Sequence, residues 1–290
     1  MTAIYYFLRR LTRPAYRIQG IGLGRICEFV RRWAARHAPQ TPLLIDDFRG
    51  NARFRCFLKE HMGGQIFFRG SYSGDQLTLI EKLLDKDGVF LDVGANQGEF
   101  SIAAARIVQK GKVIAFEPVS EYRERLLTNI QLNDFGNVQV IAAALGEQEG
   151  SLPIFDQQEN FTDGTRHEGL PTLFASNSRH HAREVVPVKR LDDVLRELGI
   201  SRVDVIKLDI EGAEWIALRG AVNTITSCRP TLILEIGRET CRAAGYEPEA
   251  LVEWLVSLNY RIEKVIEGGK TLPITSALLD DFQNIVAYPA

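Results

Sequence analysis

The sequence predicts an α/β fold built on a doubly wound, mostly parallel sheet, and three observations carry that prediction. From residue 89 onward, short apolar runs alternate with stretches of helical periodicity. The first of these runs, Val89, Phe90, Leu91 and Val93, is continuous and short, as a parallel strand covered on both faces must be. A glycine-containing turn follows at once and opens a helical pattern at Phe100, Ile102, Ala103 and Ala104. Open α/β sheets bind their ligands outside the carboxyl end of such a strand.

The chain has 290 residues, enough for one large α/β domain with an appendage, and its 45% apolar and 25% charged residues are those of an ordinary globular protein. Residues 1–36 have helical periodicity in Ile4, Phe7, Leu8 and Leu11, with Arg9, Arg10, Arg13 and Arg17 between them and Pro14 as an interruption. The segment is too short and too charged to span a bilayer, and its arginines sit where a signal peptide needs an apolar core. A cytoplasmic protein is therefore expected, with the segment either capping the main domain or making a peripheral contact with the inner face of an anionic membrane or with a partner. Pro39 and Pro42 make a break. The stretches 43–46, 52–58 and 65–69 then read as strands between glycine turns, so residues 1–75 are expected to form a basic helical segment and a small β-rich piece.

The main domain is assigned to 76–290. Leu77, Ile80, Leu83 and Leu84 predict a helix leading into strand 89–93, followed by helix 99–109, strand 112–117, helix 120–133 and strand 137–143. Residues 150–184 lack periodicity and carry Arg166, His167, Arg179, His180, His181 and Arg183, which suggests a substrate-recognising lid. A strand from 185, helix 191–198, strand 203–208, helix 213–226 and strand 231–236 come next. Leu251, Trp254, Leu255 and Leu258 make a helix face, and the runs from Tyr260 and from Asn284 predict two closing strands at hairpin-like antiparallel edges.

Charge is uneven. Residues 1–60 hold 12 Lys+Arg against 4 Asp+Glu, leaving 23 against 33 for the rest, and an acidic body argues against nucleic acid as the partner. Cys27, Cys56, Cys228 and Cys241 form no C-x-x-C pair, so reduced thiols are expected and no metal site.

The turn after residue 93 has the spacing D-x-G-x-N-x-G. Gly94 and Gly98 allow close backbone approach, Asn96 tolerates positive φ, and Asp92 places an acceptor at the strand end. About 20 residues on, Glu117 and Pro118 end the next apolar run, where an acid can accept both hydroxyls of a ribose. A dinucleotide turn would be G-x-G-x-x-G aimed at a pyrophosphate. Here Asp92 and Glu99 repel phosphate and suit a ligand bearing an ammonium and a sulfonium, as S-adenosylmethionine does. Ala143, with its small neighbours, leaves room for a flat adenine, and Tyr72 is a candidate cover for the cofactor.

A second constellation lies in 205–215. Lys207 and Asp209 share a strand face, Glu211 stands just past the strand end, and Gly212 turns the chain into a helix carrying Glu214. Charges in an apolar strand are costly, so these either pair with one another or face a crevice where Asp209 or Glu211 accepts a proton and Lys207 orients the acceptor, with Glu235 as a further member.

The motifs D92-V-G-A-N-Q-G, A115-F-E-P, N129-I-Q-L-N-D, V188-K-R-L-D-D, I206-K-L-D-I-E-G-A-E and L218-R-G-A, in this order over about residues 65–240, resemble the FkbM family of S-adenosylmethionine-dependent methyltransferases. The resemblance implies a Rossmann-like, seven-stranded class I methyltransferase sheet and O-methylation of a sugar, glycan or natural product, with S-adenosylhomocysteine as co-product. It implies Asp92, Gly94, Ala95, Asn96 and Gly98 around the methionine part, Glu117 on the ribose, and Asp209, Glu211 and Glu214 near the reaction. No metal is expected, although those three carboxylates could hold a divalent ion. Two rivals are weighed: an NAD(P)-dependent oxidoreductase of the short-chain type, for which Tyr260 and Lys264 have the needed spacing, and a non-catalytic Rossmann-like binding module.

Overall fold

A computed structural model describes residues 2–17, 23–156, 171–175 and 181–290. The chain divides into two compact units, one ending at Ser73 and the other beginning at Gly74.

In the first unit, α1 (Ala3–Arg17) and α2 (Leu23–His37) are neighbours, tied by Tyr5 Oη donating to the His37 carbonyl at 2.7 Å. β1 (Leu43–Phe48) and β2 (Ala52–Cys56) form an antiparallel pair, and α3 (His61–Arg69) follows. The stretch 65–69, read above as a strand, is therefore helical. Ile66, Phe67 and Phe68 are all fully buried, and three consecutive inward side chains carry neither period to read. Gly63 shows why the chain turns there: a Cβ on it would lie 2.3 Å from the Phe57 carbonyl oxygen. Arg9 and Arg13 both pair with Asp47, and Arg31, 1% exposed, is neutralised by Glu28 at 2.5 Å.

The second unit is the α/β domain. It starts with α4 (Gly74–Leu83) and continues through β3 (Val89–Val93), α5 (Glu99–Ile107), β4 (Lys112–Phe116), α6 (Ser120–Gln131) and β5 (Val138–Ile141). β6 (Ala144–Leu145), β7 (Gly150–Asp156) and β8 (His181–Lys189) form a small separate sheet. Then come α7 (Leu191–Glu197), β9 (Val205–Leu208), α8 (Glu214–Arg219), α9 (Val222–Cys228), β10 (Thr231–Gly237), α10 (Arg238–Ala243), α11 (Pro248–Ser257), β11 (Tyr260–Ile266), β12 (Lys270–Pro273) and β13 (Phe282–Pro289).

The main sheet runs β12-β11-β13-β10-β9-β3-β4-β5. Its five strands from β10 to β5 are parallel, and β13 pairs antiparallel with both β10 and β11. Seven strands make the expected class I methyltransferase sheet, and β12 adds a short eighth by hairpin with β11. β13 is not an edge. Ile285, Val286 and Ala287 are all fully buried, which requires cover on both faces and a place between two other strands.

Two further departures have local causes. The single helix expected over 213–226 is two, because the chain breaks at Gly220, where a Cβ would meet the Gly146 carbonyl oxygen at 2.0 Å. The restarted α9 is capped by Asp192, whose carboxylate accepts the Asn223 and Thr224 amides at 3.0 and 2.9 Å. Part of 150–184 is β-structure, since β7 pairs antiparallel with β8 and Arg183 on β8 is held by Asp156 at 2.8 Å. Arg166, His167, Arg179 and His180 lie outside the described residues.

Candidate active site

The site is built where β3, β4, β9 and β10 end. After β3 the backbone turns sharply, with φ of 78° at Gly94, 51° at Asn96 and 99° at Gly98. The turn is anchored by the Gly94 and Ala95 amides, which both donate to the Phe116 carbonyl. Gly94 also has no room for a side chain, since a Cβ there would lie 2.1 Å from the Asp209 carbonyl oxygen. Positive φ and steric exclusion add, so Gly94→Ala is expected to lower stability by roughly 2–5 kcal/mol, read as a large fall in Tm by thermal denaturation. An unchanged Tm would mean that the turn tolerates another shape.

Asn129 braces this turn from below. Its amide, 1% exposed, donates to the Gln97 carbonyl at 2.8 Å. That contact gives the Asn129 motif its physical meaning: one polar residue near the end of α6 is diverted inward to hold the loop after β3.

Glu117, at the end of β4, is buried beside the same loop. Its Oε2 accepts the Asn96 amide at 2.7 Å and its Oε1 accepts the Val119 amide at 2.8 Å. Burial pushes its carboxyl up to about 7, only partly offset by those two amides. Each oxygen keeps a second lone pair for another donor. Pro118, half-buried, follows β4, and Ala143, buried, follows β5.

Asp92 is fully buried. Its Oδ2 accepts the Ser101 hydroxyl at 2.6 Å, and its Oδ1 has the Lys207 ammonium at 3.5 Å and makes no hydrogen bond. Ser101 is a residue the sequence reading missed. Lys207 lies on β9, which pairs directly with β3, and its Nζ donates to the Gly94 carbonyl at 2.9 Å while standing 3.6 Å from Asp209 and 4.8 Å from the Phe100 ring centre. Burial works against its charge, but Asp209, Asp92 and Glu235 outweigh burial and hold Lys207 above the usual lysine value. The Lys207 ammonium is thus engaged by the loop carbonyl and two carboxylates.

The acids at the ends of β9 and β10 form one cluster. Asp209, Glu211 and Glu235, each half-buried, bring a carboxylate oxygen apiece within 4.8 Å of one another. Glu211 has φ 54° and Gly212 φ 98°, and a Cβ on Gly212 would sit 2.4 Å from the Thr240 carbonyl oxygen, so this bend is as constrained as the first. Burial, reinforced by Asp209, Glu211 and Glu214, raises Glu235 well above an ordinary carboxyl. Glu214 stands behind the cluster: it is 2% exposed, its Oε1 accepts the Ile210 amide at 3.0 Å, and burial pushes it up to about 8. Its contacts are to backbone and, at 3.4 Å, to the Tyr246 hydroxyl. Thr172 reaches the cluster too, donating through Oγ1 to the Glu211 carbonyl at 2.8 Å.

Tyr72 belongs to the first unit, where its ring is edge-on to His61. Tyr260 and Lys264 sit on strand β11, separated from β3 by β13, β10 and β9, with Tyr260 Oη near the Ile225 carbonyl and Lys264 paired with Asp280. A short-chain-type oxidoreductase needs that pair beside the glycine turn on a helix, so the oxidoreductase reading fails on geometry.

The model of the methyltransferase FkbM domain matches residues 92–262, more than half of the chain. The chain belongs to the FkbM methyltransferase family. The matched segment begins at Asp92 and takes in both acidic constellations. Methyltransferase sdnD of Sordaria araneosa is 30% identical over 196 residues, 59% of this chain and 73% of that protein. Hexuronic acid methyltransferase AglP of Haloferax volcanii is 24% identical over 232 residues, covering 78% and 85% of the two chains. AMB antimetabolite synthetase AmbE of Pseudomonas aeruginosa is 27% identical over 248 residues, 72% of this chain, which spans only 11% of AmbE. A solved FkbM methyltransferase structure from Methylobacillus flagellatus KT aligns with TM-score 0.47 at 16% identity, over 92% of this chain and 59% of that one. FkbM membership makes the chain a methyltransferase on an α/β, class I scaffold.

Proposed function

We propose that the protein transfers a methyl group from S-adenosylmethionine to a hydroxyl of a sugar, glycan or related natural product. The observation that carries this reading is the convergence of Asp92, Glu117 and Asp209 on one turn, with Lys207 within 3.6 Å of both Asp92 and Asp209.

The residues fit the cofactor in three respects. Asp92 Oδ1 is a buried acceptor without a hydrogen bond, the positive φ at Gly94, Asn96 and Gly98 folds the loop sharply over the end of β3, and Glu117 has a free lone pair on each oxygen where a ribose would present its hydroxyls. S-adenosylmethionine, when bound, supplies an electrophilic methyl on a positively charged sulfur. The chain's part is to bind and orient. Asp92 and Glu117 would hold its amino-acid and nucleoside ends, and Lys207 fixes the distance between the Gly94 loop and Asp209 as a positioning residue. Asp209, Glu211 and Glu235 face the acceptor, and one of these carboxylates takes its hydroxyl proton. Burial raises the Glu235 carboxyl well above the ordinary range, which makes it the stronger base once it is ionised. Negative walls also favour the cationic donor over its neutral co-product, which assists release.

Sugar chemistry draws support from the name of AglP, a hexuronic acid methyltransferase, and transfer to oxygen from that of 2-O-methyltransferase NoeI of Sinorhizobium fredii, 26% identical over 161 residues, 52% of this chain and 64% of NoeI. Incubation with methyl-labelled donor and a panel of saccharides and hydroxylated natural products tests the assignment. Label in an acid-stable methyl ether supports it, whereas label found only on nitrogen or carbon acceptors refutes it.

The position of Glu117 predicts a pH dependence. Its carboxyl is about 7 in the fold against an ordinary 4.5, so it is protonated and neutral below that range and charged above it. Donor affinity is expected to rise between pH 6 and 8 by about tenfold, and Glu117→Gln to flatten that rise. For the unliganded protein the sign is opposite: the folded state binds the proton more tightly, so this group's contribution is full below about 4.5 and falls, by at most about 3 kcal/mol, as pH rises to about 7. The difference in Tm between wild type and Glu117→Gln across pH 5–8 reads that term directly. A difference that does not change with pH would show Glu117 to be ionised throughout.

A further inference from the structure

The hairpin of α1 and α2 turns an apolar face away from its own unit. On α1 the inward side is fixed by Tyr5, bonded to the His37 carbonyl, and by Arg9, whose Nε donates to the Phe67 carbonyl at 2.8 Å. At helical spacing the opposite side carries Ile4, Phe7 and Leu11. On α2 the inward side is Cys27, Arg31, Ala34 and Ala35, all buried, and the opposite side carries Leu23, Ile26 and Phe29. Phe7, Ile26 and Phe29 are 60–69% exposed, far more than large apolar side chains need to be. The helices lie antiparallel, with Cys27 at the Thr12 carbonyl and the Tyr5 and Trp33 rings 6.2 Å apart, so the two outward stripes share one side of the hairpin.

The rim of that side is cationic. Arg10 on α1 and Arg25, Arg32 and Arg36 on α2 are exposed. Residues 1–38 contain eight arginines and one acid, Glu28, and its carboxylate is already engaged by Arg31 and Arg32. Like charges around an apolar centre oppose a second copy of the same face. They match an anionic bilayer surface, where the apolar stripe enters the headgroup boundary and the guanidinium groups meet phosphates. Each helix has 15 residues, and among the described residues no helix is long and apolar enough to cross a membrane.

We infer that the α1–α2 hairpin is a peripheral docking surface for anionic phospholipid, lying in the membrane plane with Phe7, Leu11, Ile26 and Phe29 inserted. The test is flotation of the full chain with vesicles of phosphatidylcholine alone or mixed with phosphatidylglycerol, at low and high salt. Flotation is expected with the anionic vesicles only, and salt should weaken it. Phe7→Glu with Phe29→Glu should reduce partitioning by on the order of 100-fold or more. Arg10→Gln, Arg25→Gln and Arg36→Gln, which leave the apolar stripe intact, should each cost about fivefold. These side chains are exposed, and an unchanged Tm verifies that the variants are folded. Absence of flotation on anionic vesicles, or flotation indifferent to lipid charge and salt, overturns the inference. So does a dimer in sedimentation that Phe7→Glu dissociates, since the face would then belong to a second copy.

Discussion

Glu117→Ala is expected to abolish measurable binding of S-adenosylmethionine, a loss of at least about 100-fold in affinity read by calorimetry. Two consequences of the substitution act together. The ribose loses its acceptor, and the Asn96 and Val119 amides lose theirs, which releases the turn that presents the loop after β3. Asp92→Ala should be equally severe for a different reason: Ser101 and Lys207 are left beside a buried void, with the ammonium short of one of its two nearest counter-charges. Asp92→Asn separates binding from folding, because it keeps an acceptor for Ser101 while removing the charge. A Glu117→Ala protein that binds the cofactor as tightly as wild type would show that the nucleoside lies elsewhere.

Asp209→Asn and Glu211→Gln are expected to give the complementary result, near-normal cofactor affinity with kcat reduced by about 10²–10⁴-fold. The separation rests on position: these two, with Glu235, form the half-buried cluster at the ends of β9 and β10, whereas Asp92 and Glu117 are sealed against the loop after β3. Glu235→Gln belongs in the same series, and the variant with the steepest loss and a shifted pH–rate profile identifies the proton acceptor. If all three keep wild-type kcat, proton removal is not their task. Glu214 should behave differently, because its oxygens are directed at the Ile210 amide and the Tyr246 hydroxyl and not into the cluster, so Glu214→Gln is expected to act on stability and its pH dependence more than on turnover.

Much of this site was legible because polar residues interrupt otherwise apolar strands. Asp92, Glu117, Lys207 and Asp209 each stand at or near the end of a run that would read as buried without them, and all four meet around one turn. What the sequence concealed follows from geometry across elements. Ser101 and Asn129 look like ordinary helix polar residues, and only the packing of α5 and α6 shows their side chains turned inward to Asp92 and Gln97. The run Gln65–Arg69 has four adjacent buried side chains, a pattern common to strands and helices. The place of β13 depends on where the chain returns after the β11–β12 hairpin, which no local pattern encodes, although its three consecutive fully buried residues are the mark of an inner strand. Asp192 and Gly220, by contrast, belong to family motifs yet serve the fold, one as the cap of α9 and the other as a close contact with Gly146.

The most direct measurement is a calorimetric titration of the wild-type protein with S-adenosylmethionine, run beside one with NAD⁺. A site built on Asp92, Glu117 and Asp209 predicts one-to-one binding of the cationic methyl donor and no heat from the anionic dinucleotide. Saturable binding of NAD⁺, or no binding of the methyl donor, would contradict the account.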